Sequence, residues 1–296
     1  MLRYMSPLSP GAVPRVLLLG NGIHRAFSAG SWNDLLRDIG GSRFSDEEWK
    51  ELGDAVPYPL LAVIAAGDGI GTAMREKSGE MTCQSPAPEE AALLSVISEK
   101  WVDAILTTNY TYEIERSLFP GFSCAPGRRC AFRHYTCGEK PRAETEALYT
   151  YMGCGEGRVP PVWHIHGEAA KPDTMVLGHY WYGKLLSRVQ SYVSEAVRGY
   201  AVSERNGTPF YPRSWVDYFL FGDVTVIGQG MNFCETDLWW LINCKKRNGR
   251  GSVTYCEANV RRDKQLLAEA CGVKVISEAV DGNGYAAYYR KLINQL

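Results

Sequence analysis

Four short stretches of the chain carry residue types that could do chemistry: Gly20-Asn21-Gly22, Thr107-Thr108-Asn109-Tyr110, His164-Ile165-His166-Gly167 and Gly228-Gln229-Gly230. Glycines directly after a strand permit a tight turn and let a phosphate approach backbone N–H groups at a helix start. The first stretch has that setting. It lacks both the full G-x-G-x-x-G spacing and the Gly-Lys-Ser or Gly-Lys-Thr ending of a P-loop, so a plain turn accounts for it equally well. Asn109 at a strand end offers a donor and an acceptor, suited to a ribose hydroxyl or a held water, although Asn is common where strands end. A histidine with a pKa near about 6.5 can take a proton from a sugar hydroxyl or from water at neutral pH. His166, beside Gly167, is placed for that role. His164 lies two residues earlier, and on one continuous strand both rings would share a face. Either ring could instead be packed and hydrogen-bonded, and position alone does not choose between them.

The elements before these stretches must hold them in place. Residues 15–19 are Arg-Val-Leu-Leu-Leu, a short buried strand running straight into Gly20. Ser31 followed three residues later by Asp34 is a capping signature, so a helix is expected to begin there. Strand, glycine turn and helix are how a nucleotide-binding α/β sheet opens. Further strands are expected at 104–108, 160–167, 223–227, 252–256 and 273–276, with helices at 88–100, 179–200, 261–271 and 284–294. That alternation predicts an α/β fold, a Rossmann-like parallel sheet with helices on both faces. Two stretches break the rhythm: 41–90, with charged helical pieces and Pro57 and Pro59 as punctuation, and 117–160, rich in Cys, Gly, Arg and Pro. They read as insertions forming a smaller, mostly helical lobe. The expected organisation is a flexible leader at 1–14 and one domain over 15–296. Ligands of such sheets bind at the C-terminal edge of the strands, where the polar and glycine residues cluster.

Composition removes other classes. Charge nearly cancels, with 32 Lys and Arg against 33 Asp and Glu, so direct nucleic-acid binding is not expected. The 17 Tyr, 9 Phe and 8 Trp supply more sticky surface than a disordered chain carries. The longest apolar runs, 16–19 and 60–66, fall short of the ~20 residues needed to span a bilayer, so no membrane partner is expected. No basic segment leading into a long apolar run opens the sequence, and no secretory signal is read there. Nine cysteines, an odd number in a chain this long, require no disulfide framework; reduced thiols in a cytoplasmic protein are expected. Cys124, Cys130, Cys137 and Cys154, with His134 among them, offer four thiolates. Their intervals of five, six and sixteen residues are unlike the tight knuckles of structural zinc sites, so zinc is not expected. Arg128, Arg129 and Arg133 read as solvated charge.

Taken together and in this order, Gly20-Asn21-Gly22, Ser31-Trp32, Thr107-Thr108-Asn109-Tyr110, His166-Gly167 and the run from Gly228 to Asp237 resemble the SIR2-like, sirtuin-related family. The resemblance covers residues 15 to about 260 and points to the bacterial branch, many of whose members are NAD-consuming effectors of anti-phage defence. It implies NAD as substrate, cleaved at the nicotinamide–ribose bond to nicotinamide and ADP-ribose. It further implies that Gly20, Asn21 and Gly22 pass under the NAD phosphates and that Asn109, with Thr108 before it, stands beside the nicotinamide ribose. His166 resembles the catalytic histidine. Gly228, Gln229 and Gly230 resemble the loop along the adenosine half, and Glu257 and Asn259 sit where relatives hold the adenine ribose. Asp237 resembles an acidic residue recurring in this branch.

Two departures qualify the implied activity. Relatives commonly have Asp after Thr-Asn-Tyr, where this chain has Thr111, so either Glu113 or Glu115 compensates or that role is dispensable. Deacylases of the family carry paired C-x2-C sites after the His-Gly, and this sequence has no such pair. NAD hydrolysis is therefore the leading expectation. An NAD-dependent protein deacylase and a non-catalytic subunit binding NAD or an ADP-ribose derivative are the alternatives. An unregulated NAD hydrolase would poison its own cell, so a homo-oligomer, an activating partner protein or a small-molecule signal is expected to switch it.

Overall fold

The computed structural model describes residues 7–27, 30–119, 122 and 160–296, together with the backbone of two strands at 132–135 and 150–153. Eight strands form one sheet: β1 (Arg15–Leu19), β2 (Ala104–Thr107), β3 (Phe132–Tyr135), β4 (Thr150–Gly153), β5 (Val162–His164), β6 (Asp223–Ile227), β7 (Val253–Ala258) and β8 (Lys274–Glu278). Their order is β3-β4-β5-β2-β1-β6-β7-β8. From β5 to β8 every pairing is parallel, which is the Rossmann order, with the topological switch between β1 and β6. β3 and β4 extend the sheet antiparallel beyond β5.

The apolar runs of the inner strands follow from burial on both faces. Val16, Leu18, Leu106, Trp163, Val224 and Val226 point into one core. There they meet α8 (His179–Asn206), α9 (Trp215–Phe221), α10 (Thr236–Asn248) and α11 (Arg262–Ala270). Leu17, Leu19, Ile105, Val162 and Ile227 point into the other. That face is covered by α1 (Gly22–Arg25), α2 (Trp32–Gly40), α3 (Asp46–Ala55), α4 (Tyr58–Ala66), α5 (Ile70–Cys83), α6 (Pro88–Ser95), α7 (Glu113–Leu118) and α12 (Tyr285–Asn294).

The capping box expected at Ser31 is present: Ser31 Oγ accepts from the Asp34 N–H at 3.2 Å, and Asp34 Oδ2 accepts from the Ser31 N–H at 2.6 Å. Pro57 and Pro59 punctuate the helices: α3 ends at Ala55, Pro57 caps α4, and Pro59 stands in its first turn, where a missing N–H costs nothing. The strand expected over 160–167 is shorter. It ends at His164, and the chain turns through Ile165 and His166, the Gly167 N–H donating to the His164 carbonyl at 3.1 Å; Gly167 sits at φ +86°, where a Cβ would lie 2.1 Å from the Thr174 carbonyl oxygen. That turn parts the two histidines, which therefore do not share a face. At the other end of the sheet, Lys245 is buried and donates from Nζ to the carbonyls of Phe219 at 3.0 Å, Leu220 at 3.2 Å and Gly222 at 2.5 Å. It thereby takes up carbonyls at the end of α9 that have no helical partner.

Candidate functional site

The loops after β1 and β6 meet at the switch point, and glycine is what allows it. The Gly20 N–H donates to the Ile227 carbonyl at 3.0 Å, and the Gly22 N–H donates to the Gly228 carbonyl at 2.7 Å. A Cβ on Gly20 would lie 2.4 Å from Gln229 Cα, and one on Gly22 would lie 2.7 Å from the Gly228 oxygen. Gly228 itself sits at φ +68°, a conformation open to glycine. These residues thus serve close backbone packing between two loops. Asn21, between the glycines, donates from Nδ2 to the Gly30 carbonyl at 3.0 Å. The Gly230 carbonyl accepts from Lys264 Nζ at 2.5 Å and from the Tyr255 hydroxyl at 3.2 Å.

A polar network runs from this junction. Thr108 Oγ1 donates to Gln229 Oε1 at 3.0 Å, and Gln229 Nε2 donates to Glu235 Oε1 at 3.3 Å. The Tyr182 hydroxyl, on α8, donates to the other Glu235 oxygen at 3.3 Å. Beside it, His166 Nε2 lies 2.9 Å from Asp237 Oδ2, with both side chains buried and the imidazole edge-on to Tyr182 at 5.4 Å. Burial by itself would lower the His166 pKa; the Asp237 carboxylate, its hydrogen bond and Glu235 outweigh that and hold it above the ordinary value. Burial pushes Glu235 up to about 6, with His166 pulling the other way. Asp237 Oδ1 is buried without a hydrogen-bond partner. Potential ligand atoms of His166, Glu235 and Asp237 lie within 4.8 Å of one another. One imidazole and two carboxylates could take a divalent cation but select no particular metal.

Asn109 follows β2 by two residues. It lines a cleft of about 390 Å³ with Asn21, Ser31, Trp32, Thr111 and Glu113. Asn109 is buried, and its Nδ2 has no hydrogen-bond partner; the same is true of Glu113 Oε2. A buried donor and a buried acceptor without partners, in two residues that line one cleft, are expensive unless a bound group takes them up. Of the two carboxylates near the Thr111 position, Glu113 is the one on the cleft. Glu115 instead lies 2.7 Å from His164 Nε2, while His164 Nδ1 donates to the Asn109 carbonyl at 2.7 Å. Burial would lower the His164 pKa, but the Glu115 charge and hydrogen bond, with Glu168, raise it to about 9.

The structure therefore brings Gly20, Gly22, Thr108, Gly228 and Gln229 into one junction, sets His166 beside it, and puts Asn21 and Asn109 in one cleft. Glu257 stands at the end of β7; burial pushes it up to about 7, opposed by Lys264 and Arg25. Asn259 is exposed, at φ +54°, and its side chain is spent on the loop before α12. Nδ2 donates to the Val280 carbonyl at 2.7 Å, and Oδ1 accepts from the Val280 N–H at 3.1 Å. Sequence reading passed over Glu235 and Tyr182, which become visible only when α8 and α10 are docked. Cys124, Cys130, Cys137 and Cys154 lie outside the described residues, and of His134 only the strand backbone is described. Among the described residues no helix is long and apolar enough to cross a membrane. No family model matches the chain, and no curated protein matches it either. What the fold defines is a Rossmann-type α/β sheet, generically suited to a nucleotide.

Proposed function

We propose that this chain is an NAD+ hydrolase of the SIR2-like kind, releasing nicotinamide and ADP-ribose and serving as a regulated defence effector. One observation carries the reading. Thr107 of β2 is paired with His164 of β5, and the two expected catalytic residues, Asn109 and His166, each follow two residues later as buried polar groups at the C-terminal sheet edge. In an open α/β sheet that edge, next to the switch point, is where nucleotides bind.

The chemistry asks little of an acid. The pyridinium of NAD+ is already a cationic leaving group, so the site must stabilise an oxocarbenium-like ribose and deliver water. Asn109, whose buried amide N–H has no partner within the protein, orients the ribose or the water. A carboxylate only accepts, so His166 Nε2 carries the hydrogen donated to Asp237, and Nδ1 is left as the ring's proton acceptor. That nitrogen serves as base towards a ribose hydroxyl or the water. Glu113 supplies, in the Asn109 cleft, the carboxylate that Thr111 lacks. Gly20 and Gly22 let the loops after β1 and β6 close on each other at the switch point, beside which a pyrophosphate would lie. Positioning and exclusion of bulk water supply much of the rate.

Product analysis of purified protein incubated with NAD, with and without an acylated peptide, tests this beside N109A and H166A. Nicotinamide and ADP-ribose released without peptide, and reduced about 100-fold or more in both variants, is the expected result. Release that depends on the peptide would make the protein a deacylase. NAD bound but uncleaved would make it a binding subunit or an effector awaiting its switch, and full activity in folded H166A would remove His166 from the mechanism.

A further inference from the structure

Asn109 is held by its main chain. Its N–H donates to Thr107 Oγ1 at 3.1 Å, and its carbonyl accepts from His164 Nδ1 at 2.7 Å. The next carbonyl, of Tyr110, accepts from the Ala169 N–H at 2.8 Å. The side-chain Nδ2 takes no part in this; it is buried without a hydrogen-bond partner, in a residue that lines the cleft. A carbonyl oxygen can only accept, so His164 Nδ1 carries a hydrogen. The Glu115 carboxylate at 2.7 Å from Nε2 accepts as well, which makes the ring an imidazolium donating in both directions. Both side chains are 0% exposed, and the ring packs edge-on to Tyr112 at 5.3 Å. The pair thus ties β5 and α7 to the one peptide that carries the Asn109 side chain.

We propose that His164, gripped by Glu115, is a positioning residue for Asn109: by bonding its carbonyl it fixes the peptide that presents the carboxamide to the substrate. The proposal rests on NAD hydrolysis being the activity of this site. A histidine that only filled core volume would need neither ring nitrogen bonded, and an apolar residue of similar size would replace it.

The test measures kcat and KM for NAD in H164L, H164N, N109A and H164L/N109A, with a second readout that needs no turnover. His164→Asn puts an amide donor near the place of Nδ1 while giving up Glu115. H164L is expected to lower kcat about 10- to 100-fold with KM within about threefold, and H164N to recover to within about fivefold of the parent. In the N109A background H164L should cost less than about twofold, because its route runs through Asn109. An unchanged kcat in H164L, or the same loss with and without Asn109, overturns the proposal. The second readout is the side-chain amide resonance of Asn109 in asparagine-labelled protein, assigned by its disappearance in N109A. It should move in H164L and return in H164N. If the parent neither binds NAD nor releases nicotinamide, the hydrolase reading falls; whenever there is no turnover, this resonance decides the positioning role by itself, and an unmoved signal in folded H164L refutes it. Should H164L not fold, Glu115→Gln, which removes the charge, replaces it with an expected three- to tenfold loss in kcat, and no loss overturns the proposal.

Discussion

At the residue scale, the histidine and the carboxylates of the sheet edge make the sharpest predictions. His166 accepts a proton only when neutral, and Asp237 and Glu235 hold its pKa above the ordinary value against burial. kcat/KM should therefore rise with pH through a midpoint above about 6.5. Asp237→Asn removes the larger of the two charges that raise the pKa and leaves burial opposed by Glu235 alone, so the midpoint should fall. The rate should drop by roughly 100-fold or more as the tautomer is lost. A pH–rate profile of D237N with its midpoint unmoved would detach Asp237 from the chemistry. The exchange of Thr111 for an acid is equally testable. If Glu113 supplies the carboxylate, E113A should lower kcat/KM by about 10- to 100-fold, the worth of a charged hydrogen bond of ~1.5–3 kcal/mol. T111D should then restore activity in the E113A background, and kinetics showing no rescue would locate the role elsewhere. The residue types were legible from sequence; their partners were not. Nothing in the spacing of His164 and His166 says that a turn through Ile165 and His166 sends one ring to Glu115 and the other to Asp237.

At the element scale, glycine substitutions separate packing from propensity. Gly20→Ala drives a methyl to 2.4 Å from a backbone atom of the β6 loop, and shifting two loops of a packed junction should cost about 1–3 kcal/mol. Gly79, inside α5, has open space around its Cα, so Gly79→Ala should stabilise by ~0.5–1 kcal/mol through helix propensity. Chemical denaturation of the two variants should give shifts of opposite sign. Elements whose cues are local could be read directly: β1 from its unbroken apolar run, α2 from its cap, α8 from its apolar stripe. The short helices α7 and α9 escaped notice. α9 is Trp-Val-Asp-Tyr-Phe-Leu-Phe and is buried all round, so it shows no amphipathic period. β3 and β4 lie in a stretch without alternation, and their place at the sheet edge depends on pairing with each other and with β5.

At the scale of the whole molecule, the buried ion pairs make stability depend on pH. His164 is near 9 when folded and about 6.5 when unfolded. Its contribution is therefore complete below about 6.5 and is lost as pH rises towards 9. Lys245, depressed to about 8 by burial, acts in the opposite sense at higher pH. Comparison with H164L isolates the first effect. The gap in urea midpoint between the parent and H164L should narrow from pH 6 to pH 9, and a constant gap would mean that the ring does not change charge there. The junction at the sheet edge has a further consequence, in the order of synthesis. Gly20, Asn109 and His166 leave the ribosome well before the segments that complete their surroundings: Gln229 bonds Thr108 across 121 residues, and Asp237 bonds His166 across 71. A polypeptide interrupted before those segments emerge has an imidazole without its carboxylate and a glycine turn without the loop that closes on it. If NAD hydrolysis is the activity, a chain interrupted before Asp237 lacks the carboxylate that sets the His166 tautomer, and such abortive translation products are expected to leave NAD intact.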